Sequence, residues 1–211
     1  MLEIRGRRIE RRDGKNQLNL TMSPVTDDDL ARLQKTDLQV LGLSHAQHVT
    51  DKGLVHLKEL HGLQELDLSH TQVGDAGLSH LQGVSSLQML DVAFTRVADA
   101  GLAHLARLRS LRYLDVTGDN ISPAGLTHLH PLLRMTEGTT QGGVPVQMVV
   151  GLTELLLTIP HPDEKWLNAL AAFGSLGILC IQFGSSVSDR TTQWMGRLSD
   201  HIPGVTLRFA Q

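Results

Sequence analysis

The stretch Leu63-Gln-Glu-Leu-Asp-Leu-Ser-His-Thr-Gln-Val-Gly-Asp-Ala-Gly-Leu78 sets the architecture, because its opening phrase recurs. Leu38-Gln-Val-Leu-Gly-Leu43, Leu87-Gln-Met-Leu-Asp-Val92 and Leu111-Arg-Tyr-Leu-Asp-Val116 repeat it, and the four starts are 25, 24 and 24 residues apart. A fixed period of this length means stacked copies of one supersecondary unit, that is, a solenoid. Such a fold offers a long surface rather than a cleft.

Each unit parses from elementary rules. Leu-x-x-Leu-x-Leu alternates, so it is a short strand with Leu66 and Leu68 on one face and Glu65, Asp67 and Ser69 on the other. A polar position follows (Ala46, Thr71, Thr95, Asp119), then an apolar column of Val25, Val49, Val73, Val97, Ile121 and Val187. Thr26, Thr50, Ser122 and Ser188 stand where helix N-caps belong, followed by Asp27, Asp51, Pro123 and Asp189, which suit a first helical turn. The i, i+3 pairs Leu54/Leu57, Leu78/Leu81, Leu102/Leu105 and Leu126/Leu129 put one apolar stripe on each helix.

The register continues on both sides of these units. Leu18-Asn-Leu20 opens a weaker upstream repeat, and Leu152 to Leu157 and Leu176 to Ile181 open two downstream ones, with Val205 to Phe209 as a closing strand. By period Met135 should open a repeat, but Gly138 and Thr140 fall where leucines belong. One domain spanning 1–211 is expected: an N-terminal cap over 1–17, regular repeats over 18–131, a degenerate repeat or insertion over 132–151, and divergent repeats with a C-terminal cap over 152–211. Strands stack about 4.8 Å apart and helices about 8–10 Å apart, so the stack must bend with its parallel sheet on the concave side.

With these motifs the chain resembles leucine-rich-repeat proteins, and the stretch from Leu63 to Leu78 resembles most closely the cysteine-containing type, in a bacterial variant with Thr in place of Cys. The resemblance is strong over 18–132 and weaker over 152–209. It implies an α/β, right-handed horseshoe solenoid with convex helices, and for function it implies protein binding only.

Composition narrows the rest. A net charge of −3 gives no global pull toward nucleic acid or anionic membranes. A single cysteine, Cys180, forbids an internal disulfide, and no signal-like or membrane-length apolar run occurs, so a cytoplasmic setting is expected. Aromatics are 3% of residues, so the core must be aliphatic.

Candidate function lies in the positions that vary between copies. The exposed strand columns carry Glu65, Met89 and Tyr113, then Asp67, Asp91 and Asp115, with His70 and Phe94 just beyond. Like charges about 5 Å apart in water repel by roughly 0.8 kcal/mol per pair, which a cationic partner relieves. Met and aromatics on an exposed face suit an interface centre. The expectation is therefore a non-catalytic protein-interaction module using these eight residues, with no cofactor, no metal and no small-molecule substrate. A partner is expected at the apolar end of the repeats, beside the interruption that follows the fourth copy.

Other constellations read as structural. His56, His80, His104 and His128 recur on separate helices and are expected to bond local carbonyls. Asp67, Ser69 and His70 include hydrolase residue types, but a regular strand separates His70 from the other two, and no oxyanion hole is evident. Arg5, Arg7, Arg8, Arg11, Arg12 and Lys15 form either a nucleic-acid or anionic-surface patch or, as favoured, a charged cap with a hairpin at Asp13-Gly14.

Overall fold

The computed structural model describes residues 3–118, 120–139, 145–149, 151–183 and 189–210. Asp119, Thr140, Val187 and Ser188 lie outside them.

Two hairpins begin the chain. Strands β1 (Glu3–Ile4) and β2 (Arg7–Arg8) pair antiparallel, as do β3 (Glu10–Arg12) and β4 (Lys15–Asn19). Their two-residue turns, Arg5-Gly6 and Asp13-Gly14, have positive φ at both positions, the geometry whose twist matches paired strands. Asp13-Gly14 is legible as a turn, whereas Arg5-Gly6 carries a weaker signal. The repeating strands follow: β5 (Val40–Gly42), β6 (Glu65–Asp67), β7 (Met89–Asp91) and β8 (Tyr113–Val116). Beyond them come β9 (Met135–Thr139), β10 (Pro145–Val149), β11 (Glu154–Ile159), β12 (Ile178–Phe183) and β13 (Thr206–Ala210).

The main sheet has nine strands in the order β13-β12-β11-β8-β7-β6-β5-β4-β3, all parallel except β3 at one edge. The antiparallel β3 strand, rich in charge, covers the open side of β4, a standard way of blunting a sheet edge.

Behind the strands run short helices: α1 (Asp27–Leu30), α2 (Asp51–Leu54), α3 (Asp75–Ser79), α4 (Asp99–Leu105), α5 (Pro123–Leu126), α6 (Glu164–Ala171) and α7 (Asp189–His201). Of the first five, all but α4 give way to a 3₁₀ segment, either at once or after two residues. Tight 3₁₀ geometry eclipses residues i and i+3, so it serves the Leu-x-x-Leu stripe as well as an α-helix would. All eight leucines of that stripe are fully buried. Thr50 and Ser122 cap their helices as expected, accepting from the backbone N–H of Lys52 and of Ala124.

The interruption after the fourth copy is not a repeat. Met135 opens β9, which pairs antiparallel with β10 in a separate two-stranded sheet, and β11 pairs directly with β8. The link between helix layer and strand shows why. In regular units a carbonyl accepts from the N–H three residues on: Leu60 from Leu63, Val84 from Leu87, Leu108 from Leu111. Leu132 makes the same bond, but with Leu152. Leu152 thus stands where the next Leu-x-x-Leu-x-Leu must begin, and the hairpin is an excursion inside a normal link. Arithmetic agrees: Leu111 to Leu152 is 41 residues, one 24-residue period plus the 17 by which this link exceeds the usual one.

Candidate functional site

Two parallel rows of side chains line the exposed face of the main sheet. The strand pairing aligns Gln17, Val40, Glu65, Met89, Tyr113, Glu154, Ile178 and Thr206 in one row. The second row is Asn19, Gly42, Asp67, Asp91, Asp115, Leu156, Cys180 and Arg208. Between them lies a depression of about 300 Å³ bordered by Asn19, Val40, Glu65, Asp67, Asp91 and Tyr113. Met89, 41% exposed, lines it as well.

The Asp column has a structural duty as well as a charge. Asp67, Asp91 and Asp115 each accept, through Oδ1, the backbone N–H two residues on, at 3.0, 2.9 and 2.8 Å. Asn19 makes the same bond to Thr21 at 2.9 Å. These side chains therefore cap the strand ends as Asx turns. That role needs one oxygen and no charge, so the second carboxylate oxygen remains available to the concave face. Among the described residues no cation pairs with Asp67, Asp91, Asp115 or Glu154. Glu65 differs, since Lys15 reaches it at 2.5 Å.

Burial and crowding show in the acidity of Asp91 and of its neighbours Tyr113 and Cys180. Burial, aided by repulsion from Asp115 and Asp67, pushes Asp91 up to about 6 against the pull of the Ala93 N–H. Burial and then Asp115, Asp91 and Glu154 push the Tyr113 hydroxyl up to about 12. Burial and Glu154 likewise raise the Cys180 thiol.

At the rim where the strands end lies a third row. Met22, His45, His70 and Phe94 all adopt φ between 54° and 58°. Each donates its N–H across to the next repeat, to the carbonyls of Ser44, Ser69, Ala93 and Thr117. The left-handed turn throws these side chains outward over the rim instead of onto the opposite strand face expected for His70. Their rings stack: His45 on His70 at 4.1 Å and 9°, His70 on Phe94 at 4.8 Å and 13°. Parallel imidazole faces do not converge on a point, and no group of three metal-ligating side chains occurs among the described residues. Ser69 does lie beside Asp67, its Oγ donating to Oδ1 at 2.6 Å, but His70 is engaged in the ring row.

Two of the convex histidines are bonded differently from expectation. His56 Nδ1 meets Gln34 Nε2 at 2.9 Å and His104 Nδ1 meets Gln82 Nε2 at 2.6 Å, so their partners are glutamines of the preceding repeat, not carbonyls. Thr71 and Thr95 donate to the carbonyls of Leu68 and Val92 at 2.6 and 2.7 Å, which fixes the turn leaving each strand. The N-terminal cations are largely engaged: Arg5 pairs with Asp29, Arg8 with Glu3, Arg12 with Glu10 and Lys15 with Glu65.

Sequence reading missed an inter-repeat bond on the convex side. The carboxylates of Asp27, Asp51, Asp75 and Asp99 reach forward to the backbone N–H of Thr50, Gly74, Ala98 and Ser122, at 2.8, 2.6, 2.7 and 2.8 Å. Glycine two residues past each next helix start makes room for them. A Cβ on Gly77 or Gly101 would lie 2.5 Å from the oxygen of Asp51 or Asp75. The ladder stops where Pro123 replaces Asp, and there the corresponding position of α6 is the buried Trp166 instead of Gly. The signal is present in the recurring Asp-x-Gly.

A family model described as a leucine-rich repeat matches residues 55–81. No curated protein sequence matches the chain. Among solved structures, the chain is similar to an internalin from Listeria monocytogenes, at 18% identity and a TM-score of 0.43. That likeness covers 88% of this chain and 49% of the internalin, so the chain spans about half the length of that protein. No helix among the described residues is long and apolar enough to cross a membrane. In fold, the chain is a leucine-rich-repeat solenoid with a parallel sheet on its concave side.

Proposed function

We propose that the chain is a protein-interaction module whose concave wall receives a cationic segment of a partner protein. One observation carries this reading: three carboxylates, Asp67, Asp91 and Asp115, stand in register on adjacent strands beside exposed Met89 and half-buried Tyr113, and no cation among the described residues pairs with them. Holding such a row together costs Coulomb energy that a cation relieves. An apolar centre with a charged border is the composition of a recognition surface. The wall is built on paired strands, so little conformational entropy is lost on binding.

The test is a double substitution, Asp91→Lys with Tyr113→Ala, in a chain shown by circular dichroism to remain folded. Partners captured by the native chain should be lost. If every captured partner still binds the variant equally well, the wall is not the docking surface.

A further inference from the structure

The ring row ends abruptly at Phe94. Left-handed backbone is unfavourable for bulky side chains, yet Met22, His45, His70 and Phe94 all adopt it. Strain of this kind repeated along a rim is a reason to look for use. Its result is a stack of parallel rings whose last member, Phe94, is 51% exposed.

One strand further on, the same position is Gly118, which has no side chain to cover Phe94. A Cβ there would meet only the Phe94 backbone, 3.7 Å away. Gly118 N–H instead donates to Thr158 Oγ1 at 3.0 Å, and Ile159, next in the row on β11, is fully buried in the core. The outer face of the Phe94 ring therefore looks over a step one strand spacing wide, about 4.8 Å. That is also the distance at which His70 and Phe94 already stack. A planar group laid on the step would extend the stack by one member.

Charge selects which planar group. Each carboxylate of the acidic row precedes a rim residue by three positions: Asp67 precedes His70, Asp91 precedes Phe94 and Asp115 precedes Gly118. The step thus sits at the rim end of the two strands that carry Asp91 and Asp115. Arg96, the nearest cation in sequence, turns back to the preceding repeat, where it donates to Gln72 Oε1. The face of an aromatic ring attracts a cation, and guanidinium is the planar side-chain cation that keeps its charge at every ordinary pH.

We propose that the step over Gly118, floored by the outer face of Phe94, takes an arginine side chain of the partner segment, the guanidinium stacking on the ring while the acidic row holds neighbouring cations. This inference rests on the concave-wall reading above and names the residue type that the wall selects.

The test uses nona-arginine and nona-lysine peptides, equal in charge, titrated against the full chain. The native chain should prefer nona-arginine by about two- to fivefold, the range of an exposed cation–π contact. Phe94→Leu, which keeps the apolar bulk and loses the ring face, should reduce that preference to about one and leave nona-lysine affinity unchanged. Phe94→Tyr should keep the preference. Equal binding of both peptides by the native chain, or an equal loss of both in Phe94→Leu, overturns the arginine step while leaving the acidic wall standing. If neither peptide binds, the wall reading fails and the step falls with it.

Discussion

A single residue type does two different jobs on the two sides of the solenoid. On the convex side an aspartate is a clamp. Asp51 bonds the backbone of the following repeat and needs Gly77 to pass beside it. Gly77→Ala should cost about 1–3 kcal/mol, because the carboxylate must give up the buried N–H of Gly74. The same substitution made in an Asp51→Ala background should cost less, since the closest clash is then gone and only the contacts with Val73 and Leu54, at 3.0 and 3.2 Å, remain; urea titrations of the four chains measure this coupling, and strict additivity would refute it. On the concave side an aspartate is a crowded charge. Asp91 has an acidity shifted up to about 6, so the folded chain holds its proton more tightly than the unfolded chain does. Below about pH 4 the group is protonated in both states and has no effect; as pH rises through about 4–6 the fold loses stability, and the loss persists above 6. Asp91→Asn keeps the acceptor for Ala93 N–H and removes the charge. It should therefore raise the melting temperature at pH 8 and change it little at pH 4. An equal shift at both values would show that the buried, crowded charge is not the cause.

Strands and helical turns were legible because the leucines that make them are spaced locally: period 2 in the strand, i, i+3 in the turn that follows. What stayed hidden joins residues 22 to 25 apart, such as the Asp–Gly clamp, the Gln–His pairs and the stacked rings. The eight residues proposed for the wall illustrate the limit. Their face was legible for Glu65, Asp67, Met89, Asp91, Tyr113 and Asp115 from strand alternation, whereas His70 and Phe94 lie past the strand ends, where a left-handed turn redirects them. The N-terminal hairpins show a third case, in which composition allowed two readings. Ion pairing within that segment and the antiparallel cover of β4 favour a cap. Deleting residues 1–12 should uncover the β4 edge and the site of the buried Ile4, producing dimers or larger species in size-exclusion chromatography with light scattering. A truncated chain that stays monomeric but loses salt-sensitive binding to duplex DNA would instead support the anionic-surface reading.

Taken over the full solenoid, the hairpin of β9 and β10 tests what a repeat protein is. Each layer packs only on its neighbours, so stability is a sum over adjacent pairs, and a segment outside that chain of pairs adds little to it. The hairpin is outside it: β8 and β11 pair directly, and the Leu132–Leu152 bond closes the link as if the excursion were absent. It also leaves from the edge where strands begin, near Arg112 and Tyr113, while the ring row lies at the edge where they end. Removing residues 134–150 leaves Leu132-Leu133-Gly151-Leu152, a link of the same length as Leu108-Arg-Ser-Leu111. Gly151 must stay, because a Cβ there would overlap the Leu132 carbonyl oxygen. The shortened chain should unfold in one cooperative transition, with stability unchanged or raised by up to about 2 kcal/mol, since a link of two residues costs less entropy to close than one of nineteen. If the hairpin were a structural layer, its removal would bare the core between β8 and β11, and unfolding would split into separate transitions for the two halves. Retained preference for nona-arginine in the shortened chain would further place recognition on the strand-end rim, away from the excursion.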